Sequence, residues 1–147
     1  MKTARKNSAI GSVFVMGLSA LLFAGTALAF EPHLEKSIQQ GKKIFTHETF
    51  GGNGRVCQSC HLGGGMEPGK LPNGKPIPSL SNAATLFPHF REKDDKVITL
   101  SGQIRACIAG GLQATPPAYG SEELNSLVSY VTSLSQGKKI NMGGKLK

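Results

Sequence analysis

The residues of this chain most able to do chemistry are Cys57, Cys60 and His61, which form the pattern CxxCH. This pattern is typical of the covalent attachment of a c-type haem. Each residue has a role in that chemistry, because the two thiols bond to the porphyrin and the imidazole binds the iron as its proximal ligand. The sequence therefore predicts one covalent haem c, with His61 on the iron and the sixth position of the iron still to be assigned.

A zinc site is the alternative interpretation of the same cysteines. Cys57 and Cys60 would form half of a tetrahedral site, and Cys107 with His61 or His89 would complete it. Zinc sites usually contain a second paired motif rather than scattered single ligands, and this sequence has no second CxxC or HxxxH. The haem interpretation is therefore favoured.

The N-terminal segment indicates export. Residues 1–29 combine a basic start, an apolar stretch and the small-residue site Ala27-Leu28-Ala29, which together are the pattern of a secretory signal peptide. Cleavage would leave residues 30–147 as one monohaem domain. Because c-type haem is attached outside the cytoplasm, the two predictions support each other and place the protein in a bacterial periplasm. An uncleaved segment would instead anchor the chain to a membrane, since residues 10–30 are just long enough to span one.

The charge of the chain limits its partners. The formal net charge is +8, and the basic residues Lys2, Arg5 and Lys6 belong to the predicted signal peptide. The other basic clusters lack interleaved aromatic residues that would stack on bases, so we expect no nucleic-acid site. The expected partner is a redox protein, either acidic or another cytochrome.

Three segments have the periodicity of helices. They comprise residues 34–45, a stretch from about residue 99 or 101 to 109 that Gly110-Gly111 ends, and a last helix that opens at the N-cap Ser121 and stops at Gly137. Gly41 lies inside the first segment, where glycine costs about 1 kcal/mol relative to alanine, so we expect the last helix to cross closely there. Residues 62–78 are rich in glycine and proline and are predicted to form a loop.

Cys107 is the cysteine left over from the CxxCH motif. An unpaired thiol in an oxidising compartment is oxidised unless it is buried or bound to a metal. Ile104, Cys107 and Ile108 share one face of the second predicted helix, so we expect Cys107 to face inward. Its alternative role is that of a small buried hydrophobe, as for most free cysteines.

The order of these features resembles class I cytochrome c across nearly all of residues 30–147. The supporting features are the first helix with Gly41 and Phe45, then CxxCH, then Pro78-x-Leu80, and a last helix with Tyr130. The resemblance implies an all-α fold with about three principal helices, short turns and long Gly/Pro-rich loops around the haem. It also implies that the carbonyl of Pro78 accepts a hydrogen bond from Nδ1 of His61.

A narrower resemblance is to the thiosulfate dehydrogenases and the Sox sulfur-oxidation cytochromes. It is carried by Phe87-Pro88-His89-Phe90, Thr99-Leu100, Ile104-Arg105-Ala106-Cys107, residues 117–121 and residues 130–137. Those proteins ligate haem iron with a histidine and a cysteine, which implies Cys107 as the distal ligand here. Gln103 departs from the family pattern, which usually has arginine four residues before that cysteine, and residues 108–111 replace an arginine-rich stretch. The enzymes also commonly carry two haems, whereas this chain has one haem motif.

The sequence leaves alternatives to Cys107 as the distal ligand of the iron. Met142 would have to reach back from beyond the last helix, and His89 lies in a segment that could approach the haem edge. Met66 is only five residues beyond His61, which is too near to cross the haem plane. The iron could also lack a distal protein ligand.

Two functions are compatible with this pattern. The first is a low-potential carrier of single electrons within sulfur-compound oxidation, because a thiolate ligand stabilises ferric iron. The second is a sulfur-oxidising haem enzyme or subunit, with a small sulfur anion at the Cys107 side and Arg105 or nearby lysines binding its charge. The single haem and the missing arginines favour the carrier. A haem sensor, a third class, would require a labile sixth ligand.

Overall fold

Three α-helices dominate residues 31–146, the part of the chain that the computed structural model describes. They are α1 (Pro32–His47), α2 (Leu100–Gly111) and α3 (Glu122–Ser133). The predicted all-α architecture with three principal helices is confirmed. The predicted signal peptide, residues 1–29, lies outside the described residues and stays a prediction.

Side-chain caps determine where the helices begin. The carboxylate of Glu31 accepts two backbone N–H bonds, each of 3.1 Å, at the start of α1. The hydroxyl of Thr99 accepts from the N–H of Gly102 at 3.2 Å, and that of Ser121 accepts from the N–H of Leu124 at 3.3 Å. These bonds satisfy backbone donors that a helix leaves unpaired at its N-terminus, and Ser121 is the N-cap that the sequence predicts.

The helix ends differ from their predicted positions by a few residues. Gly110 and Gly111 were expected to end α2, but both lie inside it. Residues 134–136, which the pattern predicts to be helical, form turns instead, and Gly137, the predicted stop, lies at φ +73°. Helix ends are the least determined part of a periodic pattern, because capping and tertiary contacts decide them.

The close crossing of α1 and α3 at Gly41 is confirmed. A Cβ atom at Gly41 would lie 1.9 Å from the carbonyl oxygen of Ser126 and 2.8 Å from Cβ of Tyr130. The ring of Tyr130 meets that of Phe45 edge-on at 5.3 Å between centroids, and its hydroxyl donates to the carbonyl of Gly64 at 2.7 Å. The glycine thus permits the contact that joins the first helix to the last.

Two short antiparallel hairpins lie between the CxxCH segment and α2. In the first, β1 (Gly69–Lys70) pairs with β2 (Pro76–Ile77); in the second, β3 (His89–Arg91) pairs with β4 (Lys96–Ile98). Sequence periodicity did not predict them, since strands of two or three residues are too short to show alternation. The second hairpin places residues from outside the helices beside α2.

The C-terminal segment packs back onto the molecule. The N–H groups of Asn141 and Gly143 donate to the carbonyls of Thr85 and Leu86, at 2.8 and 3.0 Å. These acceptors belong to a short 3-10 helix, Ala83–Leu86, whose residues are largely buried. The segment after α3 therefore has a fixed path along the molecule.

None of the helices within residues 31–146 is long and apolar enough to cross a membrane.

Candidate functional site

A cavity of about 460 Å³ lies among α2, α3 and the CxxCH segment. Most of its walls are apolar, formed by Phe45, Val56, Leu71, Leu80, Ala83, Leu86, Phe87, Leu100, Ile104, Ile108, Leu112, Leu127, Val131 and Leu146. Its polar and reactive lining residues are Cys57, Cys60, His61, His89, Gln103 and Cys107. This size and lining are typical of a site for a largely apolar group.

The CxxCH motif folds into one tight turn on the cavity wall. The backbone N–H groups of Cys60 and His61 both donate to the carbonyl of Cys57, at 3.2 and 3.0 Å. The hydroxyl of Ser59, one of the two spacer residues, accepts from the N–H of Val56 at 3.0 Å. The turn therefore brings both thiols and the imidazole to the same cavity.

Strand β1 packs against the outside of this turn. A Cβ atom at Gly69 would lie 1.7 Å from the carbonyl oxygen of Cys60, so only glycine fits at that crossing. The N–H of Gly65 donates to the carbonyl of His61 at 3.2 Å, and its own carbonyl accepts from the N–H of Leu80 at 2.6 Å. These contacts fix the motif against the following loop.

His61 is half-buried at the cavity wall, with 6.3 Å between its ring centroid and that of Phe45. Burial lowers the pKa of His61, because a charged imidazolium loses hydration in an apolar site. The neutral ring is the form that binds a metal. His61 is therefore in the protonation state that iron ligation requires.

The expected hydrogen bond between His61 and Pro78 is not formed. Nδ1 of His61 is buried and has no hydrogen-bond partner among the described residues. Pro78 follows directly on β2, and the pairing of β2 with β1 directs the backbone there. The order of residues along the sequence could not specify this path.

Cys57 is the most strongly perturbed thiol of the site. Burial, with the nearby thiols of Cys107 and Cys60 as smaller causes, raises the pKa of Cys57 to about 12. The thiol is therefore protonated at neutral pH, as expected for a sulfur enclosed by apolar side chains.

Cys107 lines the cavity together with Ile104 and Ile108, the face of α2 that the sequence predicts to point inward. The residue lines the cavity and is exposed by its accessible area, and loss of hydration around its thiol raises the pKa of Cys107. The hydrogen bond from Gln103 and the charge of Arg91 act in the opposite direction and lower it. Helix α2 thus brings Cys107 to the same cavity as the CxxCH motif.

The alternative distal ligands differ in their placement. His89 lines the cavity, with its ring stacked on that of Phe87 at 4.7 Å between centroids, and its Nδ1 is buried with no hydrogen-bond partner among the described residues. Met142 is 63% exposed and does not line the cavity. The bonds of Asn141 and Gly143 to the 3-10 helix turn the C-terminal segment so that Leu146 reaches the cavity and Met142 does not.

The structure also corrects the expected role of Arg105. Its guanidinium donates to the carbonyl of Pro117 and, at 3.4 Å, to that of Pro116. The same group lies 4.4 Å from the ring centroid of Tyr119. Arg105 does not line the cavity, because these contacts attach it to the loop before α3.

A different arginine, Arg91, approaches the site. It comes from β3 and donates from Nη1 to Oε1 of Gln103 at 3.1 Å, while Nε2 of Gln103 donates to Sγ of Cys107 at 3.3 Å. The spacing of Gln103 and Cys107, four residues on one helix, was a usable signal in the sequence. Arg91 gave no such signal, since its approach depends on the second hairpin.

The lining residues fit a covalent haem. Two thiols and a neutral imidazole lie on one wall, and the rest of the cavity is apolar enough for a porphyrin. Zinc fits less well, because within residues 31–146 no group of three or more His, Cys, Asp or Glu side chains is placed to bind a metal ion.

Comparison with known proteins gives a consistent set of relatives. A family model described as SoxA/TsdA, cytochrome c domain, matches residues 40–140. A thiosulfate dehydrogenase of Stutzerimonas stutzeri (strain A1501) is 33% identical over 122 residues, which are 74% of this chain and 38% of that protein. The L-cysteine S-thiosulfotransferase subunit SoxA of Chlorobaculum thiosulfatiphilum is 30% identical over 117 residues, which are 79% of this chain and 34% of that protein. The chain thus spans little more than a third of the length of these relatives.

Solved structures share the fold. A thiosulfate dehydrogenase (TsdBA) from Marichromatium purpuratum superposes with a TM-score of 0.61 at 23% identity, covering 80% of this chain and 26% of that chain. SoxXA from P. pantotrophus superposes with a TM-score of 0.60 at 19% identity, covering 76% of this chain and 37% of that chain. At these identities the likeness concerns the fold alone.

Proposed function

This chain belongs to the SoxA/TsdA family of cytochrome c domains, and from that premise we propose that it carries single electrons in the oxidation of sulfur compounds. Family membership implies covalently bound haem c, and Cys57 and Cys60 fit the attachment site. When bound, the haem supplies a one-electron couple between ferric and ferrous iron. In the proposal His61 and Cys107 are its iron ligands.

One observation supports this ligation above the others. Cys107 and His61, 46 positions apart in the sequence, line the same apolar cavity. Apolar side chains form most of the wall around both residues, and binding to iron would itself protect the thiolate from oxidation. A thiolate brings negative charge to the iron, so the potential is expected to lie well below that of a His/Met cytochrome.

His89 is the alternative ligand because it also lines the cavity. It lies on strand β3 and stacks on Phe87, whereas Cys107 lies on α2 beside Ile104 and Ile108. The family resemblance matches the cysteine and not the histidine to the distal position. We therefore assign His89 to the cavity wall.

Electron paramagnetic resonance and optical spectra of the ferric holoprotein test the ligation. Cys107→Ala is expected to abolish the low-spin thiolate signature and to raise the midpoint potential, while the matched variant His89→Ala leaves both close to wild type. The opposite pattern, loss of the signature in His89→Ala alone, would assign the distal position to His89 and overturn the proposal.

Electron transfer is favoured over catalysis by the charges of the site. Gln103 and not an arginine lines the cavity beside Cys107, and Arg105 is bonded to the loop before α3. A sulfur anion would therefore meet no guanidinium among the lining residues of the cavity. The carrier requires no such group.

A sulfur-oxidising haem enzyme or subunit is the second candidate function. It is favoured by the names of the relatives, which include thiosulfate dehydrogenase, and by a cysteine on the cavity wall where a sulfur anion could bind. Purified holoprotein is expected not to reduce an electron acceptor at the expense of thiosulfate. Substantial thiosulfate-dependent turnover that Cys107→Met abolishes would establish the enzyme instead.

The proposal extends to the cellular context. Residues 1–29 would direct export to the periplasm and be removed, since haem c is attached outside the cytoplasm. The partner would be a redox protein, acidic or itself a cytochrome, because the chain stays basic, with a formal net charge of +5, once Lys2, Arg5 and Lys6 are removed from the total of +8. Mass spectrometry of the exported holoprotein tests signal cleavage and haem attachment. We expect a mature N-terminus at Phe30 and the added mass of one haem.

A further inference from the structure

Arg91, Gln103 and Cys107 form a continuous line of hydrogen bonds that ends at the sulfur. Nη1 of Arg91 donates to Oε1 of Gln103 at 3.1 Å, and Nε2 of Gln103 donates to Sγ of Cys107 at 3.3 Å. The first bond joins strand β3 to helix α2, and the second joins residues i and i+4 on one face of α2. We propose that Gln103, oriented by Arg91, is a positioning residue that donates to the Cys107 sulfur and limits the charge this sulfur gives to iron.

The orientation of the Gln103 amide follows from the chemistry of its neighbour. A guanidinium has only donors, so the group of Gln103 that faces Arg91 must be its carbonyl oxygen. The amide NH₂ then points to Cys107, and a thiolate there can only accept. Arg91 thus determines which end of Gln103 the sulfur meets, and removing Arg91 would release the amide to rotate.

Strand β3 explains why Arg91 reaches this position. Side chains alternate across a strand, so His89 and Arg91 share one face and Phe90 points the other way. His89 accordingly lines the cavity and Phe90 is 57% exposed. The pairing of β3 with β4, with Arg91 opposite Lys96, fixes the register.

Arg91 is itself constrained on both sides. Its Nη2 forms an ion pair with Asp94, three residues further along the hairpin, and its Nη1 is bonded to Gln103. Nε of Arg91 is buried without a hydrogen-bond partner among the described residues. A half-buried guanidinium with two directional contacts has little freedom to move, which is what a group that orients another side chain requires.

A hydrogen bond to a ligating sulfur has a defined effect on an iron site. It withdraws electron density from the sulfur, weakens donation to the metal and raises the reduction potential. Gln103 would therefore offset part of the low potential that a thiolate ligand produces. This inference rests on the proposed Cys107 ligation.

The test compares ferric spectra and midpoint potentials of holoprotein variants. Gln103→Leu removes the donor at similar size, and Gln103→Glu retains an acceptor for Arg91 but cannot donate to the sulfur at neutral pH. Both are expected to lower the midpoint potential and shift the ferric low-spin spectrum, while Gln136→Leu, an exposed control on the turn after α3, leaves both unchanged. Wild-type values in both Gln103 variants would overturn the inference.

A double-mutant cycle tests whether Arg91 acts through Gln103. Arg91→Leu is expected to shift the potential in the wild-type background and to shift it less in Gln103→Leu, because only direct charge then remains. Lys93→Leu removes another positive charge near Cys107 and is expected to shift the potential equally in both backgrounds. Equal effects of Arg91→Leu in both backgrounds would show that Arg91 acts by charge alone and contradict its positioning role.

Cys107→Ala, measured in the same way, distinguishes a failure of the proposed ligation from a failure of the positioning role of Gln103. If it changes the spectrum while the Gln103 variants do not, the ligation stands and the positioning role is wrong. If Cys107→Ala itself has the wild-type spectrum, the proposed ligation is wrong.

Discussion

Polar side chains beside Cys107 and in the loop before α3 have polar partners, whereas Nδ1 of His61 and Nδ1 of His89 are buried without a hydrogen-bond partner among the described residues. Arg91 donates a hydrogen bond to Gln103 beside Cys107. Arg105 instead contacts loop carbonyls and the ring of Tyr119 away from the cavity. Buried polar groups without such partners cost free energy. The separation of the two arginines therefore follows from where acceptors are available.

Replacing Arg105 by Gln should lower stability without affecting the haem site. The variant loses the bonds to the carbonyls of Pro116 and Pro117 and the contact with Tyr119, which together are worth about 1–3 kcal/mol of unfolding free energy. Denaturant unfolding of the holoprotein measures the loss, and ferric spectra should match wild type because the guanidinium does not line the cavity.

Arg55→Gln provides the control for Arg105→Gln. It removes the same charge from an exposed position and should change stability by less than about 0.5 kcal/mol. A changed ferric spectrum in Arg105→Gln alone would contradict the placement of Arg105 outside the cavity.

The helices position the site through one close crossing and one inward face. Gly41 lets α1 meet α3 at the backbone of Ser126, and α3 in turn supplies Leu127 and Val131 to the cavity wall. Helix α2 contributes the reactive face with Cys107. The crossing therefore holds the part of the cavity wall that α3 supplies. A substitution at the crossing should lower the free energy of unfolding through lost packing.

Gly41→Ala should destabilise the protein although alanine favours helix. A Cβ atom at 1.9 Å from the Ser126 carbonyl oxygen forces the helices apart, and overpacking of this kind costs about 1–3 kcal/mol beyond the roughly 1 kcal/mol gained in propensity. Chemical denaturation of the holoprotein should show a lower midpoint.

Gly110→Ala is the matched substitution for Gly41→Ala. Gly110 also lies in a helix, but nothing lies within 4 Å of an added Cβ atom there. The variant should gain up to about 1 kcal/mol of stability. Equal effects of the two substitutions would contradict the close crossing.

At the scale of the whole molecule, the haem site is the centre of the fold. The cavity walls include residues that also form the hydrophobic core, among them Phe45, Ile108, Leu112 and Leu127. Without haem, the apolar walls of this cavity of about 460 Å³ would face water or lack packing partners, and both are unfavourable. Because the same residues form much of the core, we expect folding to depend on the bound haem.

Preventing haem attachment should therefore abolish cooperative folding. The variant Cys57→Ser/Cys60→Ser, purified without haem, is expected to lose near-UV circular dichroism and to become sensitive to proteolysis, while retaining part of its far-UV helix signal. Cys107→Ser keeps the covalent attachment and should remain folded. A haem-free double variant that unfolds cooperatively at the wild-type denaturant midpoint would contradict this expectation.

The sequence by itself determined the chemistry and the main elements. CxxCH indicated the haem and predicted a proximal histidine, periodicity located three helices, and Gly41 indicated a close crossing. Such features are encoded locally, because a motif spans five residues and an amphipathic face repeats every few residues. The inward face of α2 with Cys107 was predictable for the same reason.

Tertiary structure alone decided which distant groups meet. It brought Arg91 to Gln103, kept Arg105 and Met142 out of the cavity, and left Nδ1 of His61 without the expected bond to Pro78. These outcomes depend on two short hairpins and on the path of the C-terminal segment, whose backbone pairings have no periodic signature. The residue types therefore define a haem protein, while the surroundings of its proposed sulfur ligand are set by contacts between segments far apart in the chain.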